Sequence, residues 1–209
     1  MSTKTHWENV YQTRLSKELG WYKPHLQISL TWIEQLGLAP DASIIDIGGG
    51  ASTLVDDLLD AGYRSLTVLD ISEQAVSLVK ERLGRKADLV TWLNGDITAV
   101  ALPARSYDLW HDRAVFHFLT ETDAQQRYLD RLRDALKPGG HLIIGTFAPE
   151  APARCSGLPV QRYDRDELVA RLGAEFELQH HDKEMHLTPG GVEQMYLYCH
   201  FRRVGTTET

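Results

Sequence analysis

With 209 residues, 43% of them hydrophobic and 24% charged, the chain suits one soluble globular domain with a sizeable core. A net charge of −7 argues against a phosphate-backbone binder, so no nucleic-acid partner is expected. Cys155 and Cys199 form no disulfide framework and no zinc spacing, and neither a bilayer-spanning run nor a signal peptide stands out, which points to a cytoplasmic protein without a membrane partner.

Residues 1–40 read as an N-terminal helical cap. Trp7, Val10 and Tyr11 share a helical face, Trp21-Tyr22 follow Gly20, and a second helix is expected from about His25 to Leu36, stopped by Gly37. From residue 41 to 209 a single α/β unit is expected. Its first strand carries Ile44, Ile45 and Ile47 and ends in Asp46-Ile47-Gly48-Gly49-Gly50, with a helical pattern (Leu54, Val55, Leu58, Leu59) directly after. A strand, a glycine turn and a helix make the first crossover of a nucleotide-type sheet, where ligands lie beyond the strands' carboxyl ends. Glycines leave no Cβ between backbone and ligand.

Ser65 to Asp70 is a second buried strand ending in an acid, 20 residues past Gly50, the offset at which a carboxylate accepts from ribose hydroxyls. A helix from Ser72 to Leu83 leads to a third strand, about Asp88 to Leu93, followed by Asn94-Gly95-Asp96-Ile97, where Asp96 could accept from an adenine amino group. The fourth strand, Tyr107 to His111, runs into Asp112 and on to Leu119 at the switch point. A helix from Asp123 to Leu136 is closed by Lys137-Pro138-Gly139-Gly140, and the fifth strand is His141 to Phe147. Ala148 to Val160, with three prolines, reads as an irregular lid or substrate loop. A helix from Asp164 to Leu172 follows. Phe176 to Leu187 and Glu193 to Arg202 then flank Thr188-Pro189-Gly190-Gly191 as a hairpin, and the tail from Gly205 to Thr209 reads as a frayed end. The fold class is therefore a seven-stranded, mostly parallel, doubly wound (Rossmann-like) sheet closed by a C-terminal antiparallel hairpin. The hairpin stands where a dinucleotide dehydrogenase needs a second nucleotide-binding half.

Together, D-I-G-G-G at strand one, L-D at strand two, G-D-I after strand three, Y-D-L-W-H-D-R around strand four and L-K-P-G-G-H-L-I before strand five resemble the class I S-adenosylmethionine-dependent methyltransferases. The Trp7-to-Tyr11 segment and the Trp21-Tyr22 pair look like the protein-lysine and small-molecule branch. The chain departs from the pattern at Ser52, where a last glycine is usual, and lacks the N/D-P-P-Y run of enzymes acting on adenine or glutamine. The resemblance implies S-adenosyl-L-methionine as cofactor and S-adenosyl-L-homocysteine as product. It implies that Asp46, Gly48, Gly49 and Gly50 line the methionine part, that Asp70 holds the ribose, that Ile71 packs on the adenine, and that Asp96 with Ile97 bounds the base. Asp112 would approach the sulfonium and the acceptor.

Methyl transfer asks the protein chiefly to align two groups, and orientation alone contributes about 7–11 kcal/mol. Candidates for a base or for positioning the acceptor are Asp112 and His117, with His111, Glu184 and His186 behind them; for the last two an exposed strand face is the plainer reading. No metal-ligand spacing emerges from the nine histidines. The expected acceptor is a small molecule, with an exposed protein lysine as the alternative and a non-catalytic cofactor-binding scaffold as the reading of another class. Composition leaves the oligomeric state open.

Overall fold

The computed structural model describes residues 3–13 and 18–205. Of the tail expected to fray, all but Gly205 lies outside the described residues. In chain order the elements are α1 (Thr3–Thr13), α2 (Gln27–Leu36), β1 (Ser43–Ile47), α3 (Leu54–Asp60), β2 (Ser65–Asp70), α4 (Glu73–Leu83), β3 (Val90–Asn94), β4 (Tyr107–Arg113), α5 (Thr122–Ala135), β5 (Leu136–Phe147), β6 (Arg154–Cys155), β7 (Leu158–Pro159), α6 (Arg165–Leu172), β8 (Phe176–Leu187) and β9 (Glu193–Arg203).

Seven strands form one sheet in the order β3-β2-β1-β4-β5-β9-β8. The first five are parallel; β9 runs antiparallel between β5 and β8. Strand order reverses at β1, which pairs β2 on one side and β4 on the other, so the crevice above β1 and β4 is the place where a ligand can enter. The near-continuous apolar strands follow from burial on both faces. Alternate residues serve opposite sides: Ile44, Val68 and Leu109 meet α2, α3 and α4, whereas Ile45, Trp110 and Ile144 meet α5 and α6.

Two local expectations are corrected. Helix α5 ends at Ala135 and β5 begins at once with Leu136, so Lys137-Pro138-Gly139-Gly140 lies within an extended strand instead of forming a separate turn. A register shift opposite Tyr107 and Leu109 absorbs the irregular stretch, and Lys137 is tied to Asp108 at 2.8 Å. Residues 148–160 are not wholly irregular: β6 and β7 make a small hairpin whose Cys155, with Ala151 and Val160, packs against Phe147, Tyr196 and Tyr198. Apolar contact anchors that segment despite its prolines.

Candidate functional site

At the carboxyl end of the sheet a cavity of about 360 Å³ opens, bounded below by Ile47, Gly48, Leu69 and Asp70. Its local geometry begins in the glycine turn. Gly48 adopts φ +67° and its N–H donates to the Leu69 carbonyl at 2.7 Å, holding the turn against β2. A Cβ on Gly49 would overlap the Asp46 carboxylate, and one on Gly50 would meet the Asp70 carboxylate at 2.5 Å and the Ala75 methyl at 2.6 Å. The turn can therefore pass between the two acids only as bare backbone.

Asp70 ends β2 buried, accepting from the Gly50 N–H at 3.0 Å and the Ser72 N–H at 2.8 Å. Burial pushes its carboxyl up to about 6, above the usual carboxylate range, despite both donors. Ser72, not Asp70, caps α4, receiving the Ala75 N–H at 3.1 Å. Ile71, Gly95, Asp96, Ile97 and Thr98 continue the wall past β2 and β3. Asp96 closes its own turn by accepting from the Thr98 N–H and hydroxyl, both at 2.8 Å.

Aromatic side chains roof the cavity. Trp7 and Tyr11 on α1 and Trp21 beyond it meet in edge contacts, with centroids 5.5 Å apart for Trp7 and Trp21 and 5.9 Å for Tyr11 and Trp21; Phe118 adds a fourth ring 5.1 Å from Trp7. Helix α1 is fastened by Glu8, whose carboxylate accepts from the Ser72 hydroxyl and the Glu73 N–H at 2.8 Å and from the Gln74 N–H at 3.1 Å. These donors are the free N–H groups and cap at the start of α4, where a negative charge is favoured. The hydrogen bonds hold the Glu8 carboxyl below its ordinary value although burial opposes them.

The far end is floored by Arg113, Ala114 and Cys155. Ala114 takes a left-handed φ of +72°, a conformation costing a non-glycine residue about 1–2 kcal/mol. This turn separates Arg113 from Val115, both of which face the cavity. Beside it lies a smaller pocket lined by Lys23, Asp46, Gly49, His111 and again Gly48 and Arg113. Asp46 Oδ1 meets His111 Nδ1 at 2.7 Å, and His111 Nε2 meets the Ser29 hydroxyl of α2 at 2.8 Å, while Asp46 Oδ2 is buried without a partner.

Of the residues singled out from the sequence, Gly48, Asp70, Ile71, Asp96 and Ile97 meet in the main cavity, and Asp46 and Gly49 in the smaller pocket. Gly50 lies beneath, giving its N–H to Asp70. Asp112 and His117 are not brought to either wall. Asp112 is the sixth residue of β4, fully buried, and accepts from the Val115 N–H (2.9 Å), the Phe116 N–H (3.1 Å) and the Tyr128 hydroxyl (2.7 Å). It closes the turn that carries Ala114. His117 is equally buried; its Nδ1 accepts from the Phe147 N–H at 3.1 Å, and burial, reinforced by the Arg113 charge, pushes it down to about 3, so the ring is neutral. Geometry thus gives both a structural task. Glu184 and His186, expected on an exposed strand face, are covered by the N-terminal segment: Glu184 pairs with Lys23 and His186 Nε2 meets the Gly20 carbonyl at 2.7 Å. Neither Arg113, the last residue of the Y-D-L-W-H-D-R run, nor Glu8 was given a role from the sequence.

The residues present fit S-adenosylmethionine. The turn leaves no room for side chains where a ligand must approach, the orphaned Asp46 oxygen awaits a donor, and Asp70 stands at the ribose offset. A methyltransferase-domain family profile matches residues 44–140. The chain is 26% identical over 138 residues to the eEF1A lysine and N-terminal methyltransferase of Bos taurus, covering 66% of this chain but only 19% of that relative's length. It is 24% identical over 160 residues to the EEF1A lysine methyltransferase 2 of Danio rerio, covering 69% and 68%. In fold it is similar to the 1,6-didemethyltoxoflavin-N1-methyltransferase of Burkholderia thailandensis, solved with its substrate and S-adenosylhomocysteine, with a TM-score of 0.68 and 21% identity over 97% of this chain and 84% of that one. The methyltransferase-domain match, the reversed last strands and the glycine turn together support a class I S-adenosylmethionine-dependent methyltransferase.

Proposed function

We propose that the protein moves a methyl group from S-adenosylmethionine to a small-molecule acceptor held beneath α1. The observation that carries this reading is the roof: Trp7, Tyr11, Trp21 and Phe118 turn the acceptor end into an aromatic chamber. Asp70 would take the ribose hydroxyls, Ile71 and Ile97 would flank the base beside Asp96, and Gly48 to Gly50 with Asp46 would hold the methionine end. When bound, the cofactor supplies a methyl group already activated on a sulfonium. The chain's own part is to orient the acceptor and exclude water.

Neither titratable side chain at the floor of the cavity, Cys155 or Arg113, offers a ready base. Burial pushes the Cys155 thiol up to about 11, and His117 is neutral and turned toward Phe147. Arg113 cannot accept a proton. An acceptor atom that arrives unprotonated, as an amine, thiolate or carboxylate, needs no base. The test is tritiated cofactor with cell extract, resolved by mass. Label in a low-mass fraction is expected. Label in a protein band would move the reading to lysine methylation, which the names of the Bos taurus and Danio rerio relatives favour.

A further inference from the structure

We propose that Arg113 anchors an acceptor subsite for a small planar acid, a conjugated or aromatic molecule carrying a carboxylate. This rests on the methyltransferase reading above and deepens it. Arg113 leaves the end of β4 and is held on three sides. Its Nε donates to the Tyr198 hydroxyl at 2.8 Å, its Nη1 donates to the Trp21 carbonyl at 2.9 Å, and its guanidinium carbon lies 4.4 Å from the centre of the Tyr196 ring. The remaining nitrogen, Nη2, is buried with no partner, and so is the hydroxyl of Tyr196.

A guanidinium so placed normally finds a carboxylate, because a buried cation left uncompensated is costly. Among the described residues no carboxylate forms an ion pair with Arg113. Glu184 is reached only through the Tyr198 hydroxyl, which donates to it at 3.4 Å, and that acid is already paired with Lys23. Asp46, which borders the same smaller pocket, is occupied through Oδ1 by His111. The charge faces a chamber walled by Trp7, Tyr11, Trp21 and Phe118, whose flat faces suit a planar body. A guanidinium fixed through two of its nitrogens, with the third free at the floor and rings above it, matches a carboxylate on a conjugated frame. The methyl-bearing end of the cofactor would lie toward Gly48, which borders both pockets with Arg113.

The test uses the full chain saturated with S-adenosylhomocysteine. Benzoate, 4-hydroxybenzoate and indole-3-carboxylate are titrated by calorimetry and ligand-observed NMR beside their uncharged carboxamides. The acids should bind at least about tenfold tighter than the amides, as a charge-assisted contact implies. Arg113→Met should erase that preference while the affinity for S-adenosylhomocysteine changes less than about threefold. Arg113→Lys keeps the charge but loses the planar guanidinium and should retain only part of the acid preference, which guards against misfolding of the methionine variant. Equal binding of acids and amides, or binding of neither, overturns the proposal. So does a loss of S-adenosylhomocysteine affinity in Arg113→Met without change in the acid preference, which would assign the guanidinium to the cofactor's own carboxylate. Failure of the wild-type protein to bind S-adenosylhomocysteine would instead bring down the methyltransferase reading, and this subsite with it.

Discussion

Two buried carboxylates a strand apart have been given opposite work by their surroundings. Asp70 and Asp112 are both pushed up to about 6 by burial, but Asp70 faces the cavity and Asp112 faces the backbone of its own turn. For each, the native group keeps a proton that the unfolded group, with an ordinary value of 3.8, has lost. Their contribution to folding is thus fully favourable below about 4 and is lost as pH rises through about 6. Binding runs the other way. An ionised Asp70 is the better acceptor for ribose hydroxyls, so the affinity for S-adenosylhomocysteine should fall as pH drops through about 6, and Asp70→Asn should bind weakly with a flattened profile. Calorimetry from pH 5 to 8 checks this; a pH-independent wild type would remove Asp70 from the ribose. Asp112→Ala leaves buried donors from Val115, Phe116 and Tyr128 unmatched, costing at least about 3 kcal/mol at roughly 1–3 kcal/mol per orphaned group. The expected result is a large drop in denaturation midpoint, with cofactor affinity retained by whatever remains folded. Asp70's place at a strand end beside the cavity was legible from sequence because strand end and offset are local signals. Arg113 was not: its partners Tyr198 and Trp21 are 85 and 92 residues away, and no spacing announces such a meeting.

At the scale of elements, the helices and strands that sequence periodicity exposes are those whose apolar residues face a layer: β1, β2, α5 and the β8–β9 hairpin fall within a residue or two of expectation. The misreadings lie where tertiary contact overrides local chemistry, as at residues 137–140, drawn into β5, and at 148–160, drawn onto Phe147. Helix α1 is a different case. Its aromatic face was evident, but its docking depends on Glu8 reaching across 64 to 66 residues to the start of α4. Glu8→Gln keeps the length and removes the charge that the helix terminus favours, an interaction worth about 0.3–1 kcal/mol at such a site. Amide hydrogen exchange in α1 should accelerate several-fold at that cost, leaving β1 and β4 unchanged. Unaltered exchange in α1 would mean that the aromatic contacts alone hold it.

For the molecule as a whole, ligand binding to the native state alone must raise its stability. At a concentration 100 times the dissociation constant, S-adenosylhomocysteine should add about 2.7 kcal/mol. For a domain of this size that corresponds to an upward shift in melting temperature of about 5–11 °C. Gly50→Ala, which forces a methyl against Asp70 and Ala75, should abolish the shift; a full shift in that variant would contradict the assigned turn. The strand order has one more consequence. Because β9 threads back between β5 and β8, Tyr196 and Tyr198 reach Arg113 from almost the last stretch of the chain. During synthesis, at about 5–20 residues per second, everything assigned to the cofactor through Ile97 has emerged long before the two tyrosines that hold Arg113 exist. The grip on Arg113 is therefore completed last, and a nascent chain stopped short of β9 has the glycine turn and the Trp21 carbonyl but neither tyrosine to hold its arginine.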